Sequence, residues 1–432
     1  MRNSRILKLA GVSAFALFLA ACGPGDTPTP AEPPAAPEVP ATLPAEIPPG
    51  TDLAEGAAHL TIWADDTRYA PVRAAADSYI AANPGVTIDV VEKNFEDIRP
   101  DFNAQVPTGA GPDITVCAHD WLGELVANGV VAPITLGAAQ AAFEPVAIGA
   151  FTWDGQVYAV PYAIENIGLL RNTDLAPNAP ATWDEMLAMS EAAGSQFPVL
   201  LQTTSEGDPF HFYPLQTSFG APVFTQNPDG SYTNQLGLGG ENGEAFANWL
   251  SEQGAAGVLS TDIDWNIVVQ NFADGNSPFW ITGPWGPTQD AVAAANLNLA
   301  VDPIPRPGSY NASPFVGVQG FCLSSQSDNA LLANDFLVNY IGTNDVQLAL
   351  AAAGGRPPAL TAAQAAAFAA DESGLMEGFA RVGADGVPMP NIPEMGEVWA
   401  FWGVTQADII EGAPDPAGRW DQMVQDIQGA ID

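Results

Sequence analysis

Short apolar runs alternate with longer amphipathic segments over most of this chain. In the first part, the pattern predicts strands over 59–63, 86–91 and 113–117 and helices over 70–82 and 97–106, with a break at 109–112. Helix-length segments between short apolar strands are typical of βαβ units. The prediction is therefore an α/β fold with a parallel sheet and helices on both of its faces.

Polar residues that follow the predicted strands indicate where a ligand would bind. In open α/β sheets, ligands bind beyond the carboxyl ends of the strands. This rule puts three segments on one rim: 65–68 after the first strand, 117–121 after the third, and Glu165 after the apolar run 158–164. The rim would carry several carboxylates and an indole.

The same alternation resumes after Pro177 as a second α/β region and continues to the C-terminus. Its predicted elements are helices over 183–193, 244–253, 362–370, 405–410 and 420–431, strands over 198–202 and 277–282, and Thr361 as the N-cap of 362–370. From this local pattern alone, the chain would divide once, near Pro177.

The N-terminus is typical of an exported protein. Three basic residues precede an uncharged, mostly apolar run over 9–21, shorter than the roughly 20 residues that a membrane-spanning helix needs. Together with the small residues at its end, this predicts a secretory signal over 1–21. Residues 19–22 resemble a bacterial lipobox, in which cleavage precedes Cys22 and its thiol carries a lipid. The alternative is an ordinary signal peptide.

Residues 22–58 are predicted to be a lipid-anchored spacer. Most of this stretch is dense in proline and alanine, so it cannot bury a core and stays extended. At about 3.1 Å per residue it could reach roughly 100 Å. A lipid followed by such a spacer predicts an extracytoplasmic domain that is anchored to the outer face of the cytoplasmic membrane rather than spanning it.

Composition limits the class of the remaining chain. At about 375 residues it is longer than one usual hydrophobic core accommodates, so two domains are expected. Acidic residues number 50 and basic residues 12, which gives a formal net charge of -38 at pH 7. Such a surface repels nucleic acid and anionic lipid, so we exclude nucleic-acid binding.

The cysteines and histidines give no cofactor motif. Cys117 and Cys322 lie in the globular part, where export permits a disulfide, but both lie in apolar runs where a buried free thiol is common. Both alternatives stay open. The three histidines are scattered without metal-ligand spacing. Phosphate-binding loops and nucleophile elbows are also missing, so we expect no metal and no other cofactor.

Several segments, taken in order, resemble the maltodextrin-binding protein family of periplasmic sugar receptors. They are LTIW at 60–63, GAGPD at 109–113, AHD at 118–120, YAVP at 158–161, TWDE at 182–185, GPW at 283–285, PFVGV at 314–318 and MPNIPEM at 389–395. The last segment is long and unusual and is the most specific. The likeness covers nearly the whole globular part.

The resemblance implies the type II periplasmic-binding-protein fold. In this fold two α/β lobes are joined by a multi-strand hinge that the chain crosses more than once. The first lobe (N-lobe) would comprise 59–164 and 316–370, and the second (C-lobe) 165–315 and 371–432. This division differs from the single cut that the local pattern indicates.

A sugar-binding cleft follows from the resemblance and the predicted rim together. An oligosaccharide has apolar C–H faces, which flat aromatic rings cover, and hydroxyl edges, which carboxylates and arginine bind. The predicted hydroxyl-binding residues are Asp66, Arg68, Asp120, Glu165 and Asp208, and the predicted aromatic contacts are Trp121, Phe210, Trp285, Trp399 and Trp402.

Several of these residues also have a purely structural interpretation. Asp120 could cap a helix, and Arg68 could form an ion pair with its acidic neighbours. The aromatic cluster over 208–213 could belong to a core. So could Trp399 and Trp402, which are three positions apart and could share a helix face.

The sequence departs from the family pattern at positions that concern sugar contacts. Cys117 replaces a tryptophan and Trp121 an arginine, while Ala400 and Gly403 stand where the family has a tyrosine and an arginine. We expect Trp121 to supply the lost indole and an aromatic neighbour of Ala400 to fill the space there. Trehalose, another α-glucoside or a longer maltodextrin stay open as ligands.

The function that the resemblance implies is that of the solute-binding lipoprotein of an ABC importer. It would be a monomer without enzymatic activity that captures a maltose-like or maltodextrin-like α-glucoside by hinge closure and delivers it to the transporter's membrane subunits. One alternative is a secreted glycoside hydrolase with Asp120 and Glu165 as its acid–base pair. Others are a receptor of the same fold for a peptide or metal chelate, and a sugar sensor without a transporter.

Overall fold

The computed structural model describes residues 58–228 and 231–432. The predicted signal 1–21, the lipidation site Cys22 and the spacer up to 57 lie outside the described residues and stay predictions. Over the described ranges, none of the helices has both the length and the apolar character that crossing a membrane requires.

Strands and helices alternate along most of the described chain. The strands are β1 Ala58–Ala64, β2 Val86–Glu92, β3 Ile114–Ala118, β4 Val131–Ala132, β5 Thr152–Trp153, β6 Gln156–Val157, β7 Ala159–Asn166, β8 Gly168–Asn172, β9 Phe224–Gln226, β10 Tyr232–Leu236, β11 Phe279–Thr282, β12 Leu299–Asp302, β13 Phe315–Ser324 and β14 Val387–Pro388. The helices are α1 Asp66–Ala82, α2 Phe95–Gln105, α3 Leu122–Ala127, α4 Pro145–Ala150, α5 Trp183–Ala192, α6 Pro209–Thr217, α7 Gly240–Ala255, α8 Trp265–Ala273, α9 Asp290–Ala295, α10 Ala330–Phe336, α11 Asn344–Gly354, α12 Thr361–Ala370, α13 Leu375–Gly383, α14 Met395–Ile410 and α15 Pro416–Ile431.

The main sheet is mixed rather than parallel, which corrects the prediction. Strand β1 pairs in parallel with β2 and β3, as expected for βαβ units. The long strand β13, however, runs antiparallel to both β3 and β7, between which it lies. All of its residues are buried. A fully apolar run shows that a strand is buried, but it contains no information on the direction of its neighbours.

A second, three-stranded sheet has the antiparallel order β11-β8-β12. The strand predicted over 198–202 is wrong. In that stretch only Leu200 forms a bridge, to Trp280 of β11. The chain leaves the sheet after this one residue, because Thr203 pairs instead with Ile263.

Hydrophobic side chains form two large cores. The first draws on residues between 60 and 163 and between 318 and 363. The second draws on residues between 167 and 315 and between 389 and 427, next to a smaller cluster that includes Leu170. The division into two discontinuous lobes stays a proposal, and these separate cores support it.

Helix boundaries depend on capping side chains that the local pattern did not place. Helix α1 begins at Asp66, earlier than predicted, because the Asp65 carboxylate accepts a hydrogen bond from the Arg68 backbone N–H. The prediction that Thr361 caps α12 is wrong. Leu360 is the N-cap, and the Thr361 hydroxyl donates instead to Glu144 Oε1 at 2.8 Å.

Cys117 and Cys322 form a disulfide, which decides between the two alternatives that the sequence left open. The bond joins β3 to β13 across a sequence separation of 205 residues, and both cysteines are fully buried. Strand β3 leads directly to Asp120, and β13 carries Gln319, which contacts Glu165. The disulfide therefore joins the strand that leads to Asp120 to the strand that carries Gln319.

Candidate functional site

Arg68 lies at the start of α1 and is 3% exposed. Its Nε donates to the Tyr162 hydroxyl and its Nη1 to Asp65. The guanidinium carbon also lies 5.1 Å from the centre of the Phe95 ring. Nη2 is buried without a hydrogen-bond partner among the described residues. Arg68 therefore combines the predicted local ion pair with a free donor.

Asp66 is exposed and does not join this buried group. It lines a cavity of about 460 Å³ together with Thr67, Thr288, Gln289 and other residues of α8, α9 and α11. Thr288 and Gln289 follow Trp285 closely and donate hydrogen bonds to its backbone oxygen. The cavity thus adjoins the loop that carries one of the predicted stacking rings.

Asp120 lies in the single helical turn that follows β3 and is 5% exposed. Its Oδ2 accepts a hydrogen bond from Trp399 Nε1 at 3.2 Å, so the contact joins the predicted N-lobe to the predicted C-lobe. Oδ1 is buried and has no partner within the described part of the chain. Burial raises the Asp120 pKa to about 7, and the charge of Arg99 opposes this rise. Asp120 can accept a ligand hydroxyl at Oδ1.

The Asp120 turn is held in place by its neighbour His119. The backbone N–H of Val318 donates to His119 Nδ1 at 3.0 Å, so the ring hydrogen is on Nε2, which lies 2.9 Å from the Met389 backbone oxygen. Burial lowers the His119 pKa to about 4, which keeps the ring neutral. Trp121, at the end of the turn, is 8% exposed and packs on Phe95 with a centroid distance of 5.1 Å.

Glu165, near the end of β7, is 6% exposed and has two partners. Oε1 accepts from Gln319 Nε2 at 2.9 Å, and Oε2 accepts from Arg356 Nε at 2.5 Å. The Arg356 guanidinium carbon lies 5.0 Å from the centre of the Trp285 ring. Arg356 was not predicted as a site residue. Basic residues are rare in this chain, so one inside a segment rich in glycine and proline could have indicated it.

Trp285 and Phe210 form the aromatic side of the site. Both are half-buried, and their rings are stacked at a centroid distance of 6.3 Å and an angle of 30°. Phe210 is also stacked on Phe315 at 6.3 Å. The predicted aromatic contacts at 210 and 285 are therefore brought together, and Arg356 lies over the same indole.

Asp208 makes local contacts that its prediction as a hydroxyl acceptor did not include, and that role stays a prediction. It caps α6: Oδ1 accepts from the His211 backbone N–H at 3.2 Å and lies 2.9 Å from His211 Nδ1. Oδ2 accepts from Gln202 Nε2 at 2.6 Å. The buried atoms without a partner in the described chain are instead His211 Nε2 and Gln202 Oε1. Neither residue was predicted from the sequence to belong to the site.

Trp399 and Trp402 lie on α14 and have different environments. Trp399 is half-buried, and its Nε1 donates to Asp120. Trp402 is fully buried in the second core, where its Nε1 donates to Gln216 Oε1 at 2.9 Å. It exposes no ring surface to a ligand, so the prediction that Trp402 contacts sugar is corrected.

Gly403 lacks a side chain for a packing reason. A Cβ at this position would lie 2.3 Å from the backbone oxygen of Glu206, and a Cβ at Gly207 would lie 2.0 Å from the backbone oxygen of Gly403. The backbone of α14 therefore packs directly against the backbone of the loop that precedes α6. The arginine that the family pattern has at this position does not fit here.

Acidic groups from both predicted lobes face one another. Burial raises the pKa of Glu96, in the first turn of α2, and the nearby negative charges of Asp208 and Glu206 add to the effect. Arg99 lowers it. Like charges from residues far apart in sequence therefore favour the neutral form of the Glu96 carboxyl.

The described chain is mixed α/β with two large cores, and its half-buried indoles lie near buried polar atoms that have no partner among the described residues. Together these features define a solute-binding receptor of the type II periplasmic-binding-protein fold. The chain belongs to the bacterial extracellular solute-binding protein family, which matches it over residues 74–377. This membership confirms the class that the sequence segments indicated.

Curated relatives and a solved structure are similar over most of the chain. The galactooligosaccharide-binding protein of Bacillus subtilis (strain 168) is 25% identical and covers 97% of this chain and 95% of its own length. The maltotriose-binding protein of Pyrococcus abyssi (strain GE5 / Orsay) is 26% identical, covering 79% and 74%. The structure of Thermus thermophilus maltotriose binding protein bound with maltotriose has a TM-score of 0.77 and 28% identity, covering 86% of this chain and 100% of that one.

Proposed function

We propose that this protein captures an oligosaccharide outside the cytoplasm, with maltose-like and maltodextrin-like α-glucosides as its ligands, and delivers it to the membrane subunits of an ABC importer. The observation that carries the proposal is a pair of contacts between aromatic and polar groups from opposite lobes. Trp399 donates to Asp120, and Trp285 lies under Arg356. A sugar ring has apolar C–H faces, which stack on aromatic rings, and hydroxyl groups, which bind polar side chains. These two contacts contain both kinds of side chain.

Ligand capture would work by a shift between an open and a closed arrangement of the lobes. In this arrangement, contacts between the lobes, such as Trp399 to Asp120, would form when the cleft closes. A sugar that contacts both sides adds to these and favours the closed state by its differential affinity. The closed lobes would form the surface that the importer recognises.

The protein would act at the membrane surface without catalysing a reaction. We propose that Cys22 is lipidated after removal of 1–21 and that the spacer up to 57 lets a monomeric receptor reach its transporter. The similar proteins named above are binding proteins, which supports a role in transport rather than hydrolysis.

A second candidate ligand is a galacto-oligosaccharide. The Bacillus subtilis relative with that name aligns with 97% of this chain, more than the Pyrococcus abyssi maltotriose-binding protein does. The two sugar classes share hydroxyl edges and C–H faces and differ in linkage and in the orientation of one hydroxyl. The same cleft chemistry therefore applies to both, and the choice rests on direct binding measurements.

Titration with defined sugars tests the proposal. The purified mature protein would be titrated with maltotriose, trehalose, cellobiose and a β-linked galactotriose while tryptophan fluorescence and heat are recorded. We expect saturable binding of the α-glucosides, with a fluorescence change because Trp285 and Trp399 line the cleft. Binding of the galactotriose alone would select the second candidate, and no binding of any sugar would refute both.

Matched variants separate the cleft from the rest of the protein. Trp399→Phe removes the indole donor to Asp120 and should weaken sugar binding. Trp249→Phe, in α7 where the ring packs on Trp183 and Phe246 in the second core, is the control and should leave affinity unchanged. Incubation with maltoheptaose followed by product analysis addresses catalysis, since accumulation of shorter sugars would support the hydrolase alternative.

A further inference from the structure

His211 and Gln202 are held by the two oxygens of one carboxylate. His211 Nδ1 lies 2.9 Å from Asp208 Oδ1, and Gln202 Nε2 lies 2.6 Å from Asp208 Oδ2. Both remaining polar atoms, His211 Nε2 and Gln202 Oε1, are buried and have no partner in the described chain. His211 is 5% exposed, so bulk water does not solvate its ring freely.

The shared carboxylate fixes the hydrogen-bonding character of the two free atoms. A carboxylate accepts hydrogen bonds, so His211 Nδ1 carries a ring hydrogen, and the tautomer with its single hydrogen on Nδ1 presents Nε2 as an acceptor. The Gln202 amide donates through Nε2, which leaves Oε1 as a second acceptor. Buried acceptors without donors cost free energy unless another molecule supplies the donors.

His211 lies beside the aromatic rings of the site, and Gln202 is joined to it through Asp208. The His211 ring is perpendicular to Trp285 at a centroid distance of 5.9 Å and perpendicular to Phe210 at 5.8 Å. A sugar ring stacked on Trp285 turns its hydroxyl edge away from the C–H face and toward groups at the side of the indole. Hydroxyl groups are donors that suit two acceptors near a negative charge.

We propose that His211 Nε2 and Gln202 Oε1 form a two-acceptor subsite for hydroxyl groups of the sugar unit next to Trp285, with Asp208 as the positioning residue. The inference rests on the proposed function and deepens it. It replaces Asp208 by His211 and Gln202 as the groups that contact sugar on this side. It also predicts selectivity for the hydroxyl pattern of one sugar unit.

The test is calorimetric titration of the mature protein and its variants with maltotriose and with monodeoxy maltotriose analogues. His211→Phe keeps an aromatic ring but removes the acceptor, and we expect its affinity to fall about tenfold, the loss of one hydrogen bond to a buried group. His211→Gln places an amide oxygen near Nε2 and should recover part of the affinity. His59→Gln, at an exposed histidine that contacts Thr87, is the control and should bind like the wild type.

Deoxy sugars distinguish direct contact from a structural effect. In the wild type, one analogue should lose affinity because it lacks the hydroxyl that donates to Nε2. In His211→Phe the same analogue and maltotriose should bind equally well, because the acceptor is already gone. Equal losses for that analogue in both proteins, or unchanged maltotriose affinity in His211→Phe, overturn the inference while the receptor function stands.

The role of Asp208 is tested by a variant that keeps the helix cap. Asparagine is as good an N-cap as aspartate, so Asp208→Asn should retain α6 and the Oδ1 contacts with His211, while its amide nitrogen replaces the oxygen that accepts from Gln202 Nε2 and reverses the Gln202 amide. We expect a loss of affinity that the double variant with Gln202→Ala does not increase. Additive losses in the double variant contradict positioning through Gln202. A wild type that binds no sugar at all refutes the proposed function itself and with it this subsite.

Discussion

Sugar affinity should depend on pH through Asp120. Its carboxyl is 5% exposed, one oxygen accepts from Trp399, and the other has no partner in the described residues. Burial raises its pKa from 3.8 to about 7, which corresponds to about 4 kcal/mol against ionisation in the ligand-free fold. A sugar hydroxyl that donates to Oδ1 favours the ionised form, so binding should lower this pKa and release a proton.

The sign of the effect follows from linkage. Below the ligand-free pKa, each unit of decreasing pH should weaken binding up to about tenfold, until the lower pKa of the complex is reached. Affinity should thus rise from pH 5 to pH 8 and level off above about pH 7. The charged groups that influence Asp120 are Arg99 on α2, which favours ionisation, and Glu165 on β7, which opposes it.

The stability of the ligand-free protein should change in the opposite direction. Because the folded-state pKa of Asp120 is raised, its contribution is fully present below pH 3.8 and is lost as pH rises to about 7. His119, with a pKa lowered to about 4, has the reverse effect between that value and 6.5. The difference between the wild type and Asp120→Asn isolates the Asp120 part, because both proteins contain His119.

The assay is calorimetry at pH 5, 6, 7 and 8, in two buffers of different ionisation enthalpy at each pH. The wild type should bind more tightly with increasing pH and show proton release, whereas Asp120→Asn should bind weakly with little pH dependence. Equal affinity of the wild type at pH 5 and pH 8, or an identical pH profile in Asp120→Asn, would refute the reasoning.

Three further predictions concern stability and the aromatic residues. Replacing Cys117 and Cys322 together by alanine should lower the free energy of unfolding by about 2–5 kcal/mol in denaturant titrations, and adding a reductant to the variant should cause no further loss. Trp402→Ala should lower the free energy of unfolding by about 3–5 kcal/mol, since the ring is fully buried. Trp399→Ala should instead weaken sugar binding by about 1–3 kcal/mol. Comparable binding losses in the two variants would contradict the assignment of Trp402 to the core. Gly403→Ala should lower the free energy of unfolding by about 1–3 kcal/mol and lower the melting temperature accordingly, because its Cβ would meet the Glu206 backbone oxygen. A melting temperature equal to that of the wild type would exclude this close contact.

Local sequence determined the positions of most elements and of the cleft rim. Apolar runs of strand length and helical spacing placed β1, α1, β2 and α5 to within a few residues. Because polar residues at the carboxyl ends of buried strands have few other roles, Arg68, Asp120 and Glu165 could be selected before any contact was known. The order of short segments was enough to indicate the family.

Tertiary structure decided which groups each side chain contacts. Trp399 and Trp402 have the same residue type and the same helix, yet one faces Asp120 and the other a core. Asp208 was predicted as a hydroxyl acceptor, and only the folded chain placed His211 and Gln202 against its two oxygens. Helical spacing tells which residues share a face, but the neighbour of that face comes from a distant part of the chain.

The longest-range features were beyond any local pattern. The direction of β13 and the Cys117–Cys322 bond join segments that are about 200 residues apart, and Arg356 reaches Glu165 across a separation of 191. Sequence determined the apolar and polar faces, because these depend on residues a few positions apart. Only the tertiary structure decided which faces pack together. Contacts between distant segments require the closure of long loops and the simultaneous burial of surfaces from different parts of the chain, and no short segment contains both surfaces.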